Sequence, residues 1–170
     1  MTTQKNYTAL ASSITEYIAE LDNYSEAEFT QQPQGGAWSV GQVYEHLFQA
    51  SRLFFFNIKS CLSKENGAAE GGKNENGEKM FALGSFPPIK IKKPKEFGNI
   101  EPTAQNLENY KEIFEGLLSK AESIMNAVAE DDGSYKVAHP ILGLLTAQEW
   151  YTMMEMHFRH HRRQIKELTA

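Results

Sequence analysis

Three of the five histidines in this 170-residue chain sit where they could share one metal ion. His157 and His161 lie in a segment, Ala147 to Leu168, whose apolar residues recur with helical spacing. Stepping about 100° per residue from Trp150, Met153, Met154, Ile165 and Leu168 define one face. His157 and His161 straddle the centre of that face, and His160 falls at its flank. Such an i, i+4 pair projects two imidazoles from one side of a helix, one turn apart, which is how a helix grips a single ion. His46 lies on the inward stripe of a second segment, marked by Val43, Leu47, Ala50, Leu53, Phe54, Ile58 and Cys61. A neutral imidazole in an apolar core carries a polar N–H and a lone pair, and leaving either unmatched costs about 1–3 kcal/mol. A divalent ion would take a lone pair from each ring, and three nitrogen donors with a position left open are the pattern of a catalytic metal rather than a structural one. The same positions would also suit satisfied histidines at the wet end of a bundle. The residues alone leave both readings open.

Other chemistries fit less well. A di-iron bundle needs Glu-x-x-His pairs, yet the residues three before His46, His157, His160 and His161 are Val43, Met154, His157 and Phe158. A zincin peptidase needs Glu directly after the first histidine of the pair, where this chain has Phe158. No Ser-His-Asp or Cys-His arrangement stands out, and Cys61 sits on a face expected to be core, so no catalytic residue is assigned. Gln164 could orient a ligand ring or a metal-bound water, or make a plain helix-end contact. His160 reads as an edge residue, His139 as packing its loop, and Trp38 and Trp150 as core anchors at helix starts.

Four helical periods would position these residues. The first runs from about Tyr7 to Leu21. Ser39-Val40-Gly41-Gln42 is a capping box opening the second, in which a cap hydroxyl and a side-chain amide satisfy each other's backbone N–H groups. The third is expected from Thr103, directly after Pro102, to about Glu130, where Asp131-Asp132-Gly133 stops it. An irregular apolar loop, Ser134 to Leu145, leads to a second capping box, Thr146-Ala147-Gln148-Glu149, and the last helix. With no competing strand signal, the fold expected is an all-α four-helix bundle. The long connection between the second and third helices means it need not run simply up-down-up-down. Within that connection, residues 64–79 are mostly Gly, Asn, Glu and Lys, which predicts a flexible insertion unable to fix itself by burial. Phe81, Phe86 and Pro87 are expected to cover the mouth of the bundle.

The bulk composition agrees with one domain spanning residues 1–170, 41% hydrophobic and 23% charged. A net charge of -5 argues against nucleic-acid binding, which needs a basic face. The cluster Lys90, Lys92, Lys93 and Lys95 reads as a solvated loop or short edge segment, with attraction of an anionic substrate as the lesser alternative. No stretch approaches the roughly 20 apolar residues of a membrane span, and Met1 to Glu20 lacks the pattern of a signal peptide. With one cysteine no internal disulfide can form, and the expected location is cytoplasmic.

Trp38-Ser39-Val40-Gly41-Gln42-Val43-Tyr44-Glu45-His46-Leu47 resembles the second-helix signature of the DinB/YfiT-like metalloenzymes. His139-Pro140-Ile141-Leu142-Gly143 through Trp150, then His157-Phe158-Arg159-His160-His161-Arg162-Arg163-Gln164-Ile165, resembles their final-helix signature. The resemblance covers nearly the whole chain in order and helix count. It implies one histidine from helix two and an i, i+4 pair from helix four on a divalent metal, which map onto His46, His157 and His161. The hydrophilic stretch at 64–79 departs from the pattern and leaves contacts from that loop open. The resemblance further implies a metal-dependent thiol S-transferase or hydrolase acting on a small molecule, with a low-molecular-weight thiol as a candidate cosubstrate and a homodimer as a candidate assembly. A non-catalytic metal- or ligand-binding bundle, stress-related, is the alternative. Imidazole donors suit Zn, Ni, Cu, Co or Fe(II) alike.

Overall fold

The structure is a computed structural model that describes residues 1–87 and 101–170, so the Lys90–Lys95 cluster lies outside the described residues. In chain order the elements are α1 (Thr3–Glu20), a 3-10 turn (Leu21–Asn23), α2 (Glu26–Thr30), α3 (Val40–Ser63), α4 (Glu75–Leu83), α5 (Asn109–Glu130), a hairpin of β1 (Val137–His139) and β2 (Gly143–Leu145), and α6 (Ala147–Leu168). The four long helices α1, α3, α5 and α6 form the bundle. Both expected capping boxes start their helices. Ser39 Oγ accepts the Gln42 amide at 3.1 Å while Gln42 Oε1 accepts that of Ser39 at 2.9 Å, and Thr146 and Glu149 make the same exchange before α6.

Side-chain pairings give the directions of the helices. Along α1 and α6, Asn6 meets Thr152, Tyr17 meets Phe158 and Glu20 meets Arg162, so these two run parallel. Along α3, Cys61 meets Leu145 just before α6, and Phe54 and His46 meet Trp150 and His157 on it, so α3 and α6 run antiparallel. Along α3 and α5, Glu45 meets Tyr110 and Phe55 meets Lys120, again parallel. The bundle is therefore up-down-down-up. The chain must travel back along its whole length between α3 and α5, which is why residues 64–108 form so long a connection.

The core is centred on aromatic rings. Tyr17, Tyr44, Phe29, Tyr110, Phe114 and Phe158 are fully buried, and their rings pack at 5.0–6.3 Å, mostly edge-to-face or tilted, with Tyr44 and Phe114 stacked. Their hydroxyls stay satisfied: Tyr17 donates to the Phe158 carbonyl at 2.8 Å and Tyr44 to the Tyr17 carbonyl at 2.7 Å. Among the described residues no helix is long and apolar enough to cross a membrane.

Four sequence expectations are corrected. Residues 134–145 hold a short antiparallel hairpin rather than an irregular loop, with Val137 opposite Leu145 and His139 opposite Gly143. Residues 64–79 carry structure of their own. Ala68 and Lys136 exchange both backbone bonds at 2.8 and 2.9 Å, Leu144 donates to Gly72 at 3.0 Å, and Asn74 donates to Leu142 at 2.9 Å before capping α4. Composition missed this because the segment is held by backbone pairing and the Lys73–Glu149 ion pair, not by apolar side chains. At the contact, Gly143 has φ +84, and a Cβ there would lie 2.6 Å from the Asn74 nitrogen, so only glycine fits. Helix α5 begins at Asn109 rather than Thr103, because the Gln105 amide is taken by the Tyr110 hydroxyl and the Leu107 amide by the Glu26 carboxylate. Leu53, assigned to the inward stripe of α3, is 44% exposed; the buried stripe follows Phe54, Phe55 and Ile58 instead.

Candidate metal centre

The antiparallel pairing of α3 and α6 brings the first third of one helix against the last half of the other. At that level the structure gathers all three histidines singled out from sequence. His157 Nε2 lies 3.0 Å from His46 Nε2 and 3.0 Å from His161 Nε2, and the three ligand-capable atoms all fall within 4.8 Å of one another. His157 and His161 are each 8% exposed, and His46 is half-buried. Ligand nitrogens at about 2.0–2.1 Å from a tetrahedral zinc would sit about 3.3 Å apart, a few tenths from the spacing seen.

The outer nitrogens differ. Gln164 Oε1 accepts the Nδ1–H of His161 at 2.7 Å, which leaves the Nε2 lone pair aimed at the shared point. His157 Nδ1 is buried without a hydrogen-bond partner. Burial holds the His157 imidazolium form far out of reach at neutral pH, with the neighbouring imidazoles adding to the effect, and pulls His161 down to about 4. His157 and His161, kept neutral by burial, bring ring lone pairs within reach of the His46 ring, and this clustering is the observation that fits a bound cation. With no carboxylate or thiolate in the group, an ion there would keep its full charge.

The remaining candidates fall elsewhere. His139 Nδ1 accepts the Ile141 and Leu142 amides at 3.1 and 3.3 Å, so it closes the hairpin turn, and burial lowers its pKa to about 4. His160 packs against Phe86 with tilted rings 5.3 Å apart and lies outside the triad. Cys61 is buried, its thiol pushed up to about 11 by desolvation, which removes it as a nucleophile. Phe86 reaches the site, with its ring 5.7 Å from that of His157, whereas Phe81 lies beneath the Lys73 ammonium.

Sequence reading missed Glu45, the residue before His46. Its buried carboxylate accepts the Tyr110 hydroxyl at 2.6 Å, Gln49 at 2.9 Å and Gln105 at 3.2 Å, tying the start of α3 to α5 beside the triad. A carboxylate one residue from an inward histidine, on a helix otherwise apolar at that level, was the available signal.

Fold and site together define a class: a helical bundle of up-down-down-up course carrying three inward imidazoles from its second and last long helices. The chain belongs to the DinB superfamily, which it matches over residues 9–165. It is similar to YuaE of Bacillus subtilis (strain 168), an uncharacterized protein, at 24% identity over 156 residues covering 88% of each chain. Its fold is similar to that of YfiT from Bacillus subtilis, with a TM-score of 0.68 and 16% identity over 98% of this chain and 85% of that one. YfiT is described as a probable metal-dependent hydrolase with an unusual four-helix bundle topology.

Proposed function

We propose that His46, His157 and His161 bind one divalent transition metal ion and that the chain is a metal-dependent hydrolase of a small molecule, with thiol S-transfer as the second reaction to be tested. The observation that carries this reading is the convergence of three Nε2 atoms, two contacts of 3.0 Å, in a group where burial keeps His157 and His161 unprotonated. When bound, the ion would act as a Lewis acid that acidifies a water or thiol and polarises a substrate oxygen. The chain's own part is to hold three neutral donors in place. Gln164 fixes the tautomer of His161, and α3 and α6 set the spacing of the rings. YfiT, similar in fold, is described in terms of the same general chemistry, which supports hydrolysis ahead of transfer.

The test is elemental analysis of untagged protein, followed by screening the metal-loaded form against ester, amide and electrophile panels with and without a low-molecular-weight thiol. Stoichiometric metal with thiol-independent turnover is expected. Turnover only with thiol would favour the transferase reading. Metal without any turnover would favour a non-catalytic binding bundle.

A further inference from the structure

The triad is flanked by aromatic rings drawn from three separate parts of the chain. Trp38, in the turn before α3, lies 5.1 Å from the His46 ring; Phe54, on α3, lies 5.5 Å from that of His157. Phe86, three residues past the end of α4, lies 5.7 Å from His157 and 5.3 Å from His160. The turn that leads to Phe86 is anchored two residues earlier, at Gly84. Gly84 ends α4 in the left-handed region at φ +70, and its carbonyl accepts a bond from Arg159 Nη2 at 2.7 Å. Arg159 is itself held by two 3.0 Å bonds to Glu155, a carboxylate only 5% exposed. A buried acid on α6 thus orients a guanidinium, and the guanidinium anchors the segment that lays an aromatic ring against the candidate metal ligands. Because Arg159 is committed to Glu155 and Gly84, it does not offer its charge to an anionic ligand at the triad.

We propose that Phe86 is a specificity-determining residue of the metal centre, and that the centre takes small molecules in which a metal-binding donor is joined to an uncharged aromatic or bulky apolar group. This rests on the metal reading above. Rings at these spacings pair best edge-to-face or offset with another ring, and they desolvate whatever enters between them. A charged substituent seated among these rings would be stripped of water without help from the Arg159 guanidinium, which Glu155 and Gly84 already hold.

The test uses the cobalt(II)-loaded protein and its visible spectrum, titrated with acetohydroxamate, benzohydroxamate and 4-carboxybenzohydroxamate. The wild type is expected to bind benzohydroxamate about tenfold or more tightly than acetohydroxamate, and the carboxylated probe more weakly than benzohydroxamate. Phe86→Ala should bring the phenyl preference close to one while leaving cobalt content unchanged, and Phe86→Leu, which keeps the apolar packing, should lower the preference with little change in melting temperature. Arg159→Met should move the preference the same way without touching a ligand. Equal binding of the two neutral probes by the wild type, an unchanged preference in Phe86→Ala, or tightest binding of the carboxylated probe would each overturn the proposal with the metal reading intact. A protein that takes up no cobalt would overturn the metal reading, and this inference with it.

Discussion

His161 donates its Nδ1–H to Gln164 Oε1 at 2.7 Å, while Nδ1 of His157, one turn earlier on the same helix, is buried without a partner. Two candidate ligands on one helix are therefore held differently: one by a hydrogen bond to its outer nitrogen, the other by packing alone. Gln164→Met keeps length but removes the acceptor, and should weaken zinc binding by about 10–100-fold. Gln164→Glu supplies a charged acceptor and should bind at least as tightly as wild type. Competition with a chelator measures both, and nitrogen-15 spectra of the metal-free protein report the tautomer. An unmixed Nδ1–H tautomer in Gln164→Met would show that the bond does not set it.

Loss of a ligand should be more severe than loss of its support. His46→Ala, His157→Ala and His161→Ala should each strip bound metal as read by elemental analysis. His160→Ala should not, since that ring packs on Phe86 outside the triad. Metal lost from His160→Ala and kept by His161→Ala would contradict the assignment.

Acid should destabilise the metal-free fold. His161 and His139 have pKa values near 4 in the folded chain, against about 6.5 when unfolded. Between these values the unfolded chain binds more protons, so stability falls as pH drops through that window and levels off below it. The slope is at most about 1.4 kcal/mol per pH unit for each such imidazole. Thermal melts from pH 7.5 to 4 should show the decline beginning near 6.5, and a metal-loaded sample should release its ion over the same range. Melting temperatures flat across the window would show that these rings are protonated without cost.

The connection before α5 should matter for stability and not for metal content. Replacing residues 64–79 with a short Gly-Ser linker removes the backbone pairings to Lys136, Leu142 and Leu144 and the Lys73–Glu149 ion pair. Melting should fall by several degrees, with metal per folded molecule retained. Gly143→Ala tests the same contact at one residue, and should cost about 1–3 kcal/mol through its positive φ and the 2.6 Å approach to Asn74. A melt indistinguishable from wild type in both variants would mean the pairing contributes nothing.

The helices and the histidines were legible in the sequence for a common reason. Period 3.6 and the two capping boxes fix which way His46, His157 and His161 face, and facing one core from two helices is most of what convergence requires. What was not legible depended on partners remote in the chain. Ala68 pairs with Lys136, and Gln105 is claimed by Tyr110, so neither the strand-like segment nor the late start of α5 has a local signature. Glu45 escaped for the same reason, since its partners Tyr110 and Gln105 become neighbours only after the chain has doubled back.

The parallel course of α1 and α6 also bears on how the chain reaches this state. The main helical neighbours of α1 are α5 and α6, and the bond from Tyr17 to Phe158 joins residues 141 apart. A bundle wound this way has far more non-local contact than one of successive hairpins, and folds more slowly for it. On the ribosome, α1 emerges before the other helices with Leu10, Ile14 and Tyr17 bare; Tyr44 of α3 can meet Tyr17, but the two main helical partners of α1 arrive only with α5 and α6. The triad closes later still, when α6 arrives with two of its three donors already paired on one helix.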